Sequence, residues 1–229
     1  MTQQSRLLLT VYAPALMSGD GRPLTVVHGM EQALPGLSLA WEISQEERPI
    51  AMRGSQRQQP DGSFPLLSNG NERYPVTIRG LETPTSQAPG NQPLLDIHAK
   101  LSLDGTVIAA AEDVLESMGE GARAFWGHAT PGSAALDIAE QTSPTLAGPP
   151  CPTHLGWLNH WAAAAAKAIG FLAPSHDADL LSRSRRTATG GWVVRLANEP
   201  LDLDNPTHLD ALLRAYERFP KIGGRVTPR

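Results

Sequence analysis

One amphipathic stretch in the middle of the chain limits the fold more than any other feature. Val107, Ile108, Ala111, Val114, Leu115 and Met118 recur at helical spacing on one face, while Glu112, Asp113, Glu116 and Glu120 fall on the other. A helix with a single apolar stripe has to bury that stripe against a second layer. The spacing predicts a helix over Gly105–Met118, and its neighbours indicate that the second layer is a sheet. Pro93–Leu103 alternates, with Leu95, Ile97, Ala99 and Leu101 pointing one way. Arg6–Tyr12 is a compact apolar run, and Leu37–Ile43 sets Leu37, Leu39, Trp41 and Ile43 on one face of a further strand.

Two more helices are expected. Pro23–Leu34 carries Leu24, Val27, Met30 and Leu34 at helical spacing. Pro206–Phe219 carries Leu209, Leu212, Leu213, Tyr216 and Phe219 behind an Asn205 cap and a Pro206 start. Ser133–Glu140 reads as a short helix, and an alanine helix ends at Ile169. Ala124–Ala129 and Gly190–Ala197 read as strands. Asn69-Gly70 between Phe64–Leu67 and Tyr74–Leu81 predicts a tight hairpin, and Ser44–Asp61 an exposed loop. Strands and helices without regular βαβ alternation give an α+β fold: residues 1–229 as a single domain, with a largely antiparallel or mixed sheet packed by three or more helices. Two points stay open: an internal boundary in the loop 142–152, and two related halves, because both ends share similar Pro and Gly punctuation.

The composition excludes several classes. A net charge of -4 argues against sequence-independent nucleic-acid binding, and the one cysteine, Cys151, rules out an internal disulfide or a thiolate zinc site. The small-apolar run Trp161–Ala173 is interrupted by Lys167 and is too short for a bilayer, and the N-terminal apolar stretch is too short for a secretory signal. The expectation is a cytoplasmic chain that binds neither membrane nor nucleic acid.

Catalytic signatures are missing. There is no G-x-S-x-G, Walker or H-E-x-x-H pattern. Gly119–Ala124 holds part of a dinucleotide fingerprint, but it follows a helix and reads as the end of that helix. Cys151 and His154 are close in sequence, which supplies neither a positioned base nor a lowered thiol pKa. His154 and His160 with Asp177 or Asp179 lack metal-ligand spacing, and Pro206 spoils a calcium reading of Asp202, Asp204 and Asn205. No catalytic residue, metal or cofactor is expected. Arg183, Arg185 and Arg186 read as a solvated basic loop, and the clustered Trp126, Trp157, Trp161 and Trp192 as core. Two candidate sites remain. His154, Trp157, Asn159, His160 and Trp161 could line a pocket or belong to the core. Glu112, Asp113, Glu116 and Glu120 could be a solvated face or a docking surface for a basic partner.

The blocks VYAPAL, PLTVVHGMEQALPGL, ARAFWGHATP, HLGWLNHW, RRTATGGWVVRL and EPLDLDNPTHLDALLRAYERFPKIGG resemble an uncharacterised bacterial family found mainly in myxobacteria. The order G-W-L-x-x-W, G-G-W-V-V-R-L, D-N-P-x-H-L also resembles the C-terminal half of polymorphic-toxin immunity families. That resemblance implies an α+β fold, no catalysis and a cognate protein toxin as partner. The alternative is a small enzyme or ligand-binding module with its pocket around His154, Trp157, Asn159 and His160.

Overall fold

The alternation at the N-terminus sets the centre of the molecule. Leu7, Leu9, Val11 and Ala13 of β1 (Arg6–Pro14) are all essentially inaccessible, and β1 has a strand on each side. The computed structural model describes residues 5–43, 49–51, 64–83, 92–141, 150–171 and 177–222. After β1 come α1 (Arg22–Ala33), β2 (Trp41–Ile43), β3 (Pro49–Ala51), β4 (Leu67–Ser68), β5 (Thr77–Thr83), β6 (Leu94–Ser102) and α2 (Gly105–Ala122). Then follow β7 (Trp126–Pro131), α3 (Gly132–Gln141), β8 (Leu158–Trp161), α4 (Ala163–Ile169), α5 (Ala178–Ser182), β9 (Ser184–Arg186), β10 (Trp192–Arg195) and α6 (Pro206–Arg218).

The strands form one antiparallel sheet in the order β3-β2-β4-β5-β6-β1-β7-β8-β10-β9, so a single α+β domain takes strands from both sides of the 142–152 loop. Residues 142–149 of that loop lie outside the described residues. One face of the sheet carries Leu95, Ile97, Ala99 and Leu101 of β6 beside the apolar row of β1, and α2 crosses it over β1, β7 and β8. The other face is polar and aromatic, and it holds the site described below.

Asp104 caps α2 by accepting from the Val107 N–H at 2.9 Å. The helix does not stop at Gly119. It continues to Ala122 and is closed by Arg123 in the left-handed region at φ 53. Both glycines serve close packing instead of termination. A Cβ on Gly119 would lie 2.6 Å from the His160 ring, and one on Gly121 would lie 3.1 Å from the Val26 backbone in α1. Ile108 sits on the edge of the stripe and is exposed; Val107, Ala110 and Ala111 take the inward positions.

The other expectations shift in similar ways. In α1 the buried residues are Pro23, Val26, Val27 and Met30, with Val26 where Leu24 was expected. In α6 Leu212, Ala215 and Tyr216 face inward and Leu213 is exposed, because the i, i+3, i+4 stripe passes through the small Ala215. Asn205 caps α6 through the Thr207 N–H at 3.0 Å, as its sequence predicts. Of Leu37–Ile43 only Trp41–Ile43 forms a strand; Leu39 is buried and Trp41 exposed, so they do not share a face. Inside Ser44–Asp61, Pro49–Ala51 is a strand, and the remainder lies outside the described residues. The hairpin at Asn69 exists but is wider than two residues. Asn69 accepts from the Val76 N–H through Oδ1 and donates to the Tyr74 carbonyl, so β5 begins only at Thr77.

Candidate functional site

Antiparallel register lines up side chains in rows across the sheet. One row on the polar face runs Leu81, Asp96, Tyr12, Trp126, Trp161, Trp192, Arg186; the next runs Arg79, His98, Thr10, His128, Asn159, Val194, Ser184. The β8 end of the first row is sealed by the later helices. Trp161 packs edge-on to Phe171 and Phe219 at 5.1 and 5.5 Å between centroids. Its centre is a cluster of rings in which Tyr12 stacks on Trp126 at 4.0 Å and His154 meets Trp126 edge-on at 5.6 Å.

His154 also reaches His128, Nε2 to Nε2, at 2.6 Å. One ring must donate and the other accept, so the pair is bonded only while at least one nitrogen carries no proton. The outer nitrogens face Thr153 at 3.0 Å and Thr130 at 3.4 Å, whose hydroxyls can play either role. Burial lowers both imidazoles, His154 to about 4 and His128 well below the usual value, the latter helped by His154 and His98. With all four nitrogens engaged, the pair is a neutral bracket tying the loop before β8 to β7. Gly156 lets that loop approach, since a Cβ there would lie 2.5 Å from the Thr130 hydroxyl. His154 thus spends Nε2 on His128 and Nδ1 on Thr153, while Cys151 is a free thiol.

The outer part of the cluster differs. Burial pushes the Asp96 carboxyl up to about 6, offset in part by the Thr83 hydroxyl, and its Oδ1 has no partner among the described residues. Burial, and then the Asp96 charge, raise the Tyr12 hydroxyl above its ordinary range. His98 accepts from or donates to Thr10 at 3.2 Å and is lowered by burial and by the nearby Arg79 and Lys100.

Of the five residues proposed from sequence as one pocket, only His154 joins this cluster. Strand alternation in β8 sends Leu158 and His160 toward α2, and Asn159 and Trp161 to the opposite face. All of Trp157, Asn159, His160 and Trp161 are at most 2% exposed, so they are core. Asn159 closes a small ring with Gly156, and Trp157 donates to the Ala197 carbonyl at 2.9 Å. Tyr12, Asp96, His98 and His128 were missed; the available signal was a polar or aromatic residue at every second position of three strands, β1, β6 and β7.

The acidic residues of α2 do share one side, but they are stitched to the sheet. Arg185 reaches Asp113 at 2.7 Å and Glu116 at 2.6 Å, and Arg195 reaches Glu112 at 3.4 Å. Glu120 contacts His160 at 3.4 Å and accepts from Thr189 at 2.8 Å; the His160 bond, then Thr189 and Thr187, hold its carboxyl down to about 2 against burial. Arg183, Arg185 and Arg186 are thus not a free loop: Arg183 pairs with Asp179 and bonds the Leu196 carbonyl, and Arg186 lies over Trp192.

Residues 18–153 and 143–227 match the model of a domain of unknown function, DUF5953. The chain belongs to the DUF5953 family. No curated protein matches it. Among solved structures, the Pseudomonas aeruginosa T6SS protein PA0821 is similar, with a TM-score of 0.57 at 14% identity over 94% of this chain and 73% of that one. That likeness is one of fold. In this DUF5953 chain, a cleft of about 650 Å³ lies at the head of α2 between Leu34, Leu37, Tyr74 and Val107, and none of the sequence-selected residues lines it. Glu120 lines a second cleft, of about 570 Å³, beside Arg22 and Arg123. Among the described residues no group of three or more His, Cys, Asp or Glu is arranged to hold a metal, and no helix is long and apolar enough to cross a membrane.

Proposed function

We propose that this chain is a non-catalytic binding protein of the immunity type, which occupies a cognate toxin in the cytoplasm and blocks it. The observation that carries this reading is the fold shared, over 94% of the chain, with a T6SS protein. The order of Gly, Trp and Pro motifs, which resembles polymorphic-toxin immunity families, supports it. So does the histidine bracket, whose nitrogens are all committed to internal partners. A basic toxin face would meet α2 at Asp113, the most open of its carboxylates, and would compete with Arg185 for Asp113 and Glu116. The test is co-expression with each protein encoded beside it. One of those proteins should arrest growth alone, be tolerated with this chain, and co-purify with it at fixed stoichiometry. Protection that persists when this chain is far scarcer than the toxin would mean turnover and overturn the reading.

A ligand-binding module is the second reading, favoured by the cleft at the head of α2, whose size suits a small molecule. Calorimetric screening of metabolites against the wild type and Tyr74→Ala separates it from the first.

A further inference from the structure

The polar sheet face is closed at its β8–β10 end by aromatic packing, but it opens toward β5 and β2. There the register sets Arg79 opposite His98, Thr77 opposite Lys100 and Leu81 opposite Asp96. Arg79 and Lys100 are exposed and, among the described residues, in no ion pair, whereas Arg22, Arg183, Arg185, Arg195, Arg214 and Arg218 are each held by a carboxylate. Leu81 is 45% exposed beside them, and Trp41 lies on the same face through the Ser68–Thr77 pairing at 37% exposure. Among the described residues, the one carboxyl in this part of the face, Asp96, is half-buried. Two unpaired cations astride an imidazole, with large apolar side chains alongside, form a surface complementary to carboxylates set among apolar residues. β6, which carries His98 and Lys100, is hydrogen-bonded to β5 on one side and β1 on the other, so little ordering cost falls on this partner there.

We propose that this open face, centred on Arg79, Leu81, His98 and Lys100, is a docking surface for an acidic, partly apolar segment of a partner protein. The proposal deepens the immunity reading: the partner is the toxin, and its contact segment carries Asp or Glu. Opposite charge would speed and orient encounter, while Leu81 and Trp41 would supply the desolvated contact that slows release.

The test is backbone-amide NMR on the full chain, titrated with short poly-L-glutamate and, separately, with the toxin found by co-expression. Shifts should concentrate on residues 77–81 and 96–100 and weaken as salt rises. Arg79→Glu with Lys100→Glu should abolish the poly-L-glutamate shifts and weaken toxin binding at least tenfold. Arg79→Gln with Lys100→Gln serves if the reversal unfolds the protein. Asp210→Lys, on the exposed side of α6, should leave binding at this face unchanged. Unchanged affinity in a folded double variant overturns the proposal, as do shifts confined to α2. It also fails if an oligonucleotide produces these shifts and poly-L-glutamate does not. Should no toxin emerge while poly-L-glutamate still lands on this face, the immunity reading fails and the surface stands.

Discussion

Arg218 and Asp177 form a two-point pair whose partners are unequally buried. Nε and Nη2 of Arg218 donate to the two Asp177 carboxylate oxygens at 2.6 and 2.9 Å, and the Asp177 side chain is fully enclosed while that of Arg218 is 30% exposed. The pair joins the start of α5 to the end of α6, and Arg218 also reaches the Gly170 carbonyl at 3.3 Å. Replacing Arg218 with Met keeps the aliphatic stem and leaves the carboxylate buried without a counter-charge, which costs roughly 3–5 kcal/mol. For a chain of this length that lowers Tm by about 6–20 °C. Asp177→Leu should cost less, because the guanidinium it abandons can turn to water. The double variant should be closer to wild type than the Arg218→Met single, giving a coupling of about 1–3 kcal/mol. Urea unfolding of the four proteins measures all three quantities. A loss below about 1 kcal/mol for Arg218→Met, or equal losses for the two singles, would refute the unequal-burial reasoning.

Leu212→Ala should cost about 2–5 kcal/mol by opening a cavity in a closed core, whereas Leu213→Ala on the exposed side of α6 should stay within about 0.5 kcal/mol; urea midpoints compare them directly. Arg123→Gly should stabilise by up to about 1 kcal/mol, because the left-handed cap of α2 strains a side chain there and glycine adopts it freely. The pH dependence has two opposed parts. His154 and His128 are depressed, so the unfolded chain takes up their protons first and stability is lost as pH falls from about 6.5 toward about 4. Asp96 is raised to about 6, so its contribution is present at low pH and lost as pH rises from the ordinary carboxylate value through about 6. Asp96→Asn should therefore be more stable than wild type at pH 7, with the difference shrinking toward pH 4; a constant or widening gap in urea midpoints would contradict the assignment.

Much of the architecture was readable because burial acts on one element at a time. The β6 alternation, the Asn205-Pro206 start of α6 and the acidic side of α2 each follow from residues within a turn or two of one another. The site was not, because it depends on register between distant segments. Nothing near Tyr12 announces Asp96 and Trp126 as its cross-strand neighbours, and nothing near His154 announces His128. His154, Trp157, Asn159, His160 and Trp161, left open between a pocket and the core, were undecidable for the opposite reason. Closeness along a strand is distance across a sheet, so Asn159 and His160 face different layers. The carboxylates of α2 were placed correctly, but their arginine partners come from β9 and β10, which no local pattern connects to that helix.

The position of β1 at the middle of the sheet bears on how the chain is made. It is made before the other described strands of the sheet, yet Leu9 pairs with Ala99 on one side and Ala129 on the other. At about 5–20 residues per second, one edge of that apolar strand stays unpartnered for roughly 5–18 s of synthesis and the other for roughly 6–24 s. Closing such distant contacts is slow even once the partners exist, because the loop entropy is spent before any pairing returns it. During that interval Leu7, Leu9 and Val11 are a sticky segment with free hydrogen-bonding edges, the kind that chaperones cover. Yield in cells should therefore depend on nascent-chain protection more steeply than the stability of the finished sheet would suggest.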